Sequence, residues 1–376
     1  MRYLAPLALL LVAACAGPTA SRPPKEPGPV ALPKPPPEDG TGGGERKEHH
    51  HFAVHVVDVG TGLGVFVEGP DFTLVYDAGS NDDLETGAGN RFVAYLKAAR
   101  PDLKRIDHVI LSHPHRDHVE LLPDVVDLFA VREVWDSGGL NPICGYRRFV
   151  EAVSKSEARY HTAGAAGTRE VDFGKKVCNL GPTVRVRFDA AIIEGEPVRL
   201  GAGASMTFLH VDGKSYGSDD ANGNSLVMLL ALGDTKVLFM GDAEAGSRAD
   251  PSAAESPKSA EGQVLAQYKE KLRADVLIAG HHGSKSSSRK VFVDAVRPKL
   301  SIISSGPMQY GKVTLPDAEV VEELQAAGKV LRTDVDDEAC ARAEKKIGPV
   351  KDGRPGGCSN VRIDIDDGKV RADYVQ

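Results

Sequence analysis

Short apolar runs that end in polar clusters recur along the chain from residue 54 onward. Runs of this length and composition predict β-strands. They are Val54–Val57, Val65–Val67, Thr73–Val75, His108–Leu111, Leu226–Leu230, Val237–Met240, Val276–Ala279, Leu300–Ile303 and Val330–Leu331. Helical periods lie between them, at Val119–Ala130, Gln263–Leu272, Lys290–Val296 and Asp317–Ala327.

The predicted strands are apolar throughout rather than alternating, which indicates sheets that are covered on both faces. The order of strands followed by helices occurs twice, with a long region between. This pattern predicts an α/β fold built as a four-layer αββα sandwich. Because 41% of the residues are apolar and no second linker interrupts them, residues 52–376 are expected to form one large domain.

The chain begins like a signal peptide, with Met1-Arg2-Tyr3, an apolar run and then Cys15. The run ends in Leu11-Val12-Ala13-Ala14-Cys15, which resembles the bacterial lipobox, so residues 1–14 are predicted to be removed and Cys15 to be lipidated. An ordinary secretory signal with an incidental Cys is the alternative. Because Ala16 is not Asp, resemblance to Gram-negative lipoproteins indicates anchoring in the outer membrane, facing the periplasm.

The segment that follows the lipidated Cys predicts a tether over residues 15–50. Residues 16–50 contain nine Pro and six Gly and cannot bury enough apolar surface to fold alone. No later run approaches eighteen consecutive apolar residues, so no transmembrane helix is expected in the mature chain.

Four further cysteines are expected to form structural disulfides in an exported chain, namely Cys144, Cys178, Cys340 and Cys358. Three pairings are open. Cys340–Cys358 would clip a segment rich in Gly and Lys and leave Cys144–Cys178 as its companion. A cysteine metal site is disfavoured because no CxxC spacing occurs.

Four potential metal ligands follow the strand His108–Leu111: His113, His115, Asp117 and His118. His113 and His115 alternate, so they point the same way and can share one metal, whereas Asp117 and His118 turn toward a second. A solvated polar loop is the alternative reading. An HxHxDH segment at a strand end that opens a helix is nevertheless typical of a binuclear metal site.

Seven segments carry a wider resemblance: Val57-Asp58-Val59-Gly60-Thr61-Gly62, Leu74-Val75-Tyr76-Asp77-Ala78-Gly79, Ser112-His113-Pro114-His115-Arg116-Asp117-His118, Asn222-Gly223-Asn224-Ser225-Leu226-Val227, Phe239-Met240-Gly241-Asp242-Ala243-Glu244, Ala279-Gly280-His281-His282-Gly283-Ser284 and Arg332-Thr333-Asp334. In this order they resemble the metallo-β-lactamase superfamily. Within it, the sequence is similar to the soluble domain of ComEC-type DNA-internalisation proteins and to cell-wall phosphorylcholine esterases. The resemblance covers about residues 52–338.

The resemblance implies a role for each matching residue. Asp77 would orient the metal-binding loop from behind its ligands, because ligand imidazoles need an outer acceptor. Asp242 would bridge two metals, with a turn Asp as the alternative reading. His282 would bind the second metal, and His281 would contact phosphate or protonate the leaving group, so that Asp117 and His281 take part in catalysis.

Two positions depart from the family pattern. Leu63 stands where the family usually has Asp, and Lys312 follows Tyr310-Gly311 where the family has His. Lys312 is expected to be a surface residue, although it could act as a point charge on phosphate. No motif marks the third His of the first metal site. His210, at the end of an apolar run, is our candidate, and His161 is a weaker one.

Together these features predict a lipid-anchored binuclear hydrolase with two divalent cations, zinc or alternatively manganese. A metal-bridging hydroxide would attack a phosphodiester, in DNA or in the cell envelope, so the activity is that of a phosphodiesterase or nuclease. The net charge of −7 gives no general affinity for nucleic acid, so a polyanion would need local cations or metals. The alternatives are a β-lactamase or lactonase, and a non-catalytic metal-binding interaction protein.

Overall fold

The computed structural model describes residues 50–83, 85–174, 176–214, 221–335 and 358–375. The predicted signal peptide, Cys15 and most of the tether lie outside these residues. The described residues all belong to one compact unit. No helix among them is long and apolar enough to cross a membrane.

The described residues contain twenty strands and seven α-helices. In chain order the strands are β1 (His51–Val56), β2 (Gly64–Glu68), β3 (Thr73–Ala78), β4 (Arg105–Leu111), β5 (Ala130–Asp136), β6 (Arg159–Thr162), β7 (Gly167–Asp172), β8 (Thr183–Phe188), β9 (Ala190–Ala191), β10 (Pro197–Gly201), β11 (Ala204–His210), β12 (Val227–Leu232), β13 (Thr235–Phe239), β14 (Val276–Ile278), β15 (Leu300–Ile303), β16 (Gln309–Tyr310), β17 (Val313–Thr314), β18 (Lys329–Arg332), β19 (Asn360–Asp366) and β20 (Lys369–Val375). The helices are α1 (Arg91–Ala99), α2 (Arg116–Val119), α3 (Leu122–Leu128), α4 (Cys144–Lys155), α5 (Ala260–Tyr268), α6 (Lys290–Val296) and α7 (Ala318–Ala327).

Two large sheets organise these strands. Within the described parts of the chain, the first sheet has the order β20-β19-β1-β2-β3-β4-β5-β6-β9 and the second has the order β10-β11-β12-β13-β14-β15-β18. The pairs β7-β8 and β16-β17 form two small antiparallel hairpins.

Three apolar layers separate the two sheets and the helices outside them. Along β3, Val75 packs in an outer layer with residues of α1, α3 and α4, whereas Leu74 and Tyr76 pack in the layer between the sheets. Along β13, Phe239 belongs to that middle layer and Leu238 to a third layer with α5, α6 and α7. The predicted four-layer αββα sandwich is therefore confirmed.

The carboxyl ends of the parallel strands meet at one edge of the sandwich. Strands β3 to β6 run parallel in the first sheet, as do β13, β14, β15 and β18 in the second. The chain reaches Asp77, His113, Asp242 and His281 at or just after the ends of β3, β4, β13 and β14. Sheets of parallel strands characteristically carry their binding sites at this edge.

The sequence predictions of individual elements were largely confirmed. All nine predicted strands overlap strands of the structure, and the predicted helix Lys290–Val296 matches α6. The single helix predicted over Val119–Ala130 was wrong, because the chain forms α2 and then α3, and β5 begins at Ala130. Pro123 stands in the first turn of α3, where a missing N–H is tolerated at a helix start but not in a helix interior.

One disulfide is present among the described residues and joins Cys144 to Cys178, with Cα atoms 5.4 Å apart. This pair is the one predicted as the companion of Cys340–Cys358. Cys340 lies outside the described residues, so the second pair stays a prediction.

Candidate metal centre

Six side chains that suit a metal ion converge where the ends of β4, β13 and β14 meet. They form two groups, His113 with His115 and Asp242, and Asp117 with His118 and His282. In each group the potential ligand atoms lie within 4.8 Å of one another. The spacing of the HxHxDH segment predicts the same division of its four residues.

The two histidines of the first group lie in the loop between β4 and α2. Nε2 of His113 lies 3.0 Å from Nδ1 of His115. His113 is fully buried, and its Nδ1 contacts Oγ of Ser112 at 3.0 Å. Burial, reinforced by the nearby His118, holds the pKa of His113 well below its usual value. A neutral imidazole is the form that binds a metal.

Asp77 fixes the orientation of His118 from behind. Its Oδ1 accepts the backbone N–H of Ser112 at 2.6 Å, and its Oδ2 accepts the Ser112 hydroxyl at 2.6 Å. Nδ1 of His118 donates to the same Oδ2 at 2.8 Å. The other nitrogen of His118, Nε2, is thereby turned into the site, which is the arrangement that the predicted role of Asp77 requires.

The ring of His282 is also oriented by a hydrogen bond from its Nδ1, here to a residue that follows β15 of the second sheet. Its Nδ1 donates to the carbonyl of Ser304 at 2.8 Å, so its Nε2 is the nitrogen directed into the site. Nε2 of His282 lies 3.2 Å from Nε2 of His118. Nδ1 of His118 donates its hydrogen bond to Asp77, as described above. Two ring nitrogens this close can share a proton or, as neutral bases, bind the same cation. The residues present therefore fit a metal ion.

Asp242 belongs to the first group and also contacts the second. Its Oδ1 is 3.1 Å from Nε2 of His118, and its Oδ2 is 3.8 Å from Nε2 of His113. Oδ1 is buried and makes no well-directed hydrogen bond, which leaves a lone pair for a cation. Burial raises the pKa of Asp242, but the imidazoles of His118 and His282 outweigh it and hold that pKa well below its usual value. An ionised carboxylate in this place has the position that a bridging ligand needs.

His281 adjoins the two groups without belonging to either. Its Nδ1 lies 2.8 Å from Oγ of Ser286 and 3.2 Å from a carboxylate oxygen of Glu244. Its Nε2 is 3.8 Å from Oδ2 of Asp242. His281 and His282 both have positive φ, 48° and 51°, a left-handed turn that brings two adjacent side chains to the same site.

Three predicted positions lie apart from these groups. His210 belongs to neither group, and its Nδ1 donates to the carbonyl of Ser225 at 2.8 Å, so its assignment as the third His gains no support. His161 stacks on Trp135 with ring centroids 3.8 Å apart, outside both groups. Lys312 is exposed on the β16-β17 hairpin, as expected for a surface residue.

The altered family position Leu63 has a structural explanation. Its side chain is buried in the apolar layer between the two sheets. An apolar residue therefore suits this position, and a carboxylate placed there would be costly to bury.

Sequence reasoning missed the side chains that support Asp117. Oδ2 of Asp117 accepts hydrogen bonds from the Asn81 amide at 2.9 Å and from the Tyr310 hydroxyl at 2.7 Å. Tyr310 was noted only as part of an altered motif, and Asn81 follows the Asp77 segment without any pattern of its own. Neither residue lies near Asp117 in the sequence, so no local spacing could have indicated the contact.

Comparison with known proteins places this geometry in context. A model described as the metallo-beta-lactamase superfamily matches residues 57–306. The competence protein ComA of Neisseria gonorrhoeae is 28% identical over 284 residues, which cover 75% of this chain and 31% of ComA. The recombination protein 2 of Haemophilus influenzae is 36% identical over 103 residues, covering 27% of this chain and 11% of that protein. The chain thus spans less than a third of the length of either relative.

A solved structure gives a further comparison. The metallo-beta-lactamase fold protein YhfI from Bacillus subtilis has 13% sequence identity and a TM-score of 0.42, and the match covers 75% of this chain and 97% of YhfI.

Proposed function

Since the chain belongs to the metallo-beta-lactamase superfamily, we propose that it is a metal-dependent hydrolase of phosphodiesters, acting on DNA or on a cell-envelope phosphodiester. The observation that carries this proposal is the pair of His/Asp groups joined by the buried carboxylate of Asp242. The superfamily typically binds divalent metal ions. Zinc is the proposed metal, because imidazole and carboxylate are its common ligands at such sites.

Each residue of the centre has a distinct task in this proposal. His113 and His115 would hold one cation, Asp117, His118 and His282 the other, and Asp242 both. When bound, two divalent cations supply Lewis acidity for the attack of water on phosphorus and for the departure of the alcohol oxygen.

His281 is suited to deliver the proton that the departing oxygen needs. Glu244 and Ser286 hold its Nδ1, so Nε2 is the nitrogen that faces Asp242 and the site. The ring is 23% exposed, so a substrate can reach it. A group placed in this way can act as a general acid.

Nucleic acid is the substrate class that the relatives favour. Their names refer to competence and to recombination, which supports DNA over a β-lactam. We further propose that the lipidated Cys15 holds the enzyme at the cell envelope, where its substrate would be extracellular DNA or an envelope polymer.

The test uses the full-length chain and the variant Asp242→Ala. Removal of the shared carboxylate should lower the content of both metals and reduce turnover by several orders of magnitude. Bound metal is measured together with cleavage of bis-p-nitrophenyl phosphate, single-stranded DNA and a β-lactam, assayed side by side.

The exposed Asp373 supplies the control variant Asp373→Ala, which should behave like the wild type. Unchanged metal content in Asp242→Ala would contradict the assignment of the site. A wild-type chain that binds two metals and cleaves only the β-lactam would contradict the proposed substrate class.

A further inference from the structure

We propose that Tyr310 is the positioning residue for Asp117, holding its carboxylate in the orientation in which it binds a cation. The inference rests on the proposed function for the presence of that cation. It deepens the proposal by giving a task to the β16-β17 hairpin, which the assigned ligands do not use.

The geometry is a closed triangle of three polar groups. The Tyr310 hydroxyl donates to Oδ2 of Asp117 at 2.7 Å, and the Asn81 amide donates to the same oxygen at 2.9 Å. The Asn81 amide also donates to the Tyr310 oxygen at 3.0 Å. The same Oδ2 lies 3.7 Å from Nε2 of His282, so the two donors hold the oxygen that faces the second group.

Both donors are tied to one residue, Thr61, in the loop between β1 and β2. The Thr61 carbonyl accepts the backbone N–H of Asn81 at 2.7 Å, and the Thr61 hydroxyl accepts the backbone N–H of Met308 at 2.9 Å. Gly306 packs against this loop so closely that an added Cβ would lie 2.2 Å from the Thr61 nitrogen. The residues that precede the hairpin are therefore held in place by Thr61. This restricts the position of the Tyr310 hydroxyl next to Asp117.

The choice of donors suits a metal-binding carboxylate. The terminal torsion of Asp has a broad energy minimum, so an unsupported carboxylate rotates. A Lys or Arg partner would fix it but would also cancel its charge. Phenol and amide are neutral, so they fix the carboxylate of Asp117 and leave its full negative charge to neutralise a cation.

The exposure of Tyr310 argues that the main role of its side chain is to position Asp117 and not to pack in the core. Tyr310 is 38% exposed, whereas the large aromatic residues of the core are almost completely buried. The ring contributes little to the apolar layers. The contacts that explain a tyrosine at this position are therefore those of its hydroxyl. Loss of an outer partner of a metal ligand typically lowers metal affinity 10- to 100-fold.

The experiment compares Tyr310→Phe with Tyr374→Phe in the full-length chain. Tyr374 is 44% exposed, and its hydroxyl hydrogen-bonds to the backbone of Arg332. Tyr374→Phe therefore removes the same hydroxyl group at a position outside the site. Affinity for Zn²⁺ is measured by competition with a chelator, and the visible spectrum of the Co²⁺-loaded chain reports the ligand geometry.

Tyr310→Phe should weaken one of the two Zn²⁺ sites by about 10- to 100-fold and shift the Co²⁺ bands, while Tyr374→Phe changes neither. Asn81→Ala removes the second donor independently and should weaken the same site. In phosphodiester cleavage, kcat should fall more than KM rises, because the substrate itself does not lose a contact.

Unchanged affinity and an unchanged Co²⁺ spectrum in both Tyr310→Phe and Asn81→Ala would overturn the proposal, even if the wild type cleaves phosphodiesters. Weakened Zn²⁺ binding in a protein that cleaves no phosphodiester would keep the positioning role and overturn the proposed function. A wild-type chain that binds no divalent metal would overturn both.

Discussion

At the level of single residues, the candidate centre is organised by the hydrogen bonds behind its ligands. Asp77 accepts a hydrogen bond from Nδ1–H of His118, and the Ser304 carbonyl accepts one from Nδ1–H of His282. Each bond fixes the orientation of one ring, so both Nε2 atoms point into the same space. Asp77 lies at the end of β3 in the first sheet, and Ser304 follows β15 in the second. The site therefore depends on the packing of the two sheets against each other.

The adjacent histidines provide a prediction at this scale. His282→Ala should lower metal content, whereas His281→Ala should keep both metals and lose rate chiefly on substrates with poor leaving groups. A nitrophenolate needs little protonation to depart, so an alkyl phosphodiester should be affected more strongly. Metal analysis and rates on the two kinds of ester test the contrast.

If His281→Ala loses a bound metal and His282→Ala retains both metals, the two roles are reversed. If neither variant changes metal content or rate, the Gly280–Gly283 segment takes no part in the chemistry.

How far the site could be predicted depends on whether its residues are neighbours in the sequence. The HxHxDH segment is local, and its division into two groups follows from alternation along the chain. His210 was selected by the same strand-end signal as Asp242, yet only Asp242 lies with the other ligands. Asn81 and Tyr310 reach Asp117 only through the packing of separate loops, so no pattern of spacing contains their contact.

At the level of elements, α5 secures the segment that follows the paired histidines. Glu261, in the first turn of α5, accepts the backbone N–H groups of Ser288 and Arg289 at 2.6 and 2.9 Å. The side chain is completely buried, and burial raises its pKa to about 7 despite these hydrogen bonds.

This carboxyl predicts a specific pH dependence of stability. Its pKa is higher in the folded chain than the ordinary value of 4.5, so the folded state binds the proton more tightly. Stability from this group is complete below about pH 4.5 and is lost as the pH rises toward about 7, by roughly 3 kcal/mol in total. Urea unfolding of the wild type and of Glu261→Gln across this range measures the difference.

The difference between the two free energies of unfolding should change with pH, while the exposed Glu270→Gln control keeps the wild-type slope. A pH-independent difference between wild type and Glu261→Gln would show that the folded pKa is ordinary.

The disulfide gives a second prediction for an element. Cys144 begins α4, and its bond to Cys178 closes a segment with a sequence separation of 34 residues. By chain entropy a loop of this size stabilises the fold by about 4 kcal/mol. Cys144→Ser with Cys178→Ser should lower the free energy of unfolding by about this amount, measured by urea titration under non-reducing conditions. A change below about 1 kcal/mol would contradict the estimate.

The elements that the sequence predicted well are those buried on both faces. Strands such as β13 and β15 are short apolar runs because helices cover one face and the other sheet covers the opposite face. Helices α1 and α4 were missed, although Phe92, Val93 and Leu96 in α1 and Phe149, Val150 and Val153 in α4 are buried at helical spacing. Strand β19 alternates between buried and partly buried residues. This period-two pattern lies C-terminal to the family motifs and was not predicted as a strand.

For the molecule as a whole, the predicted lipid anchor would decide where the protein is located. Cys15→Ser should leave the chain without its diacylglyceryl group, because only a thiol at that position accepts it. Cell fractionation should then recover the variant in the soluble fraction and the wild type with membranes after a salt wash. Equal recovery of both with membranes would contradict the lipoprotein prediction.

The pairing of the first strand with β19 has a consequence for how the protein is made. Residues of β1 lie opposite residues of β19 along their whole length, from His51 against Asp366 to Val56 against Val361. Strand β1 is therefore synthesised long before its partner, and one of its hydrogen-bonding edges stays open until β19 is available to pair with it. Until then this open edge can pair with a strand of another chain, so β1 is exposed to aggregation while the fold is incomplete.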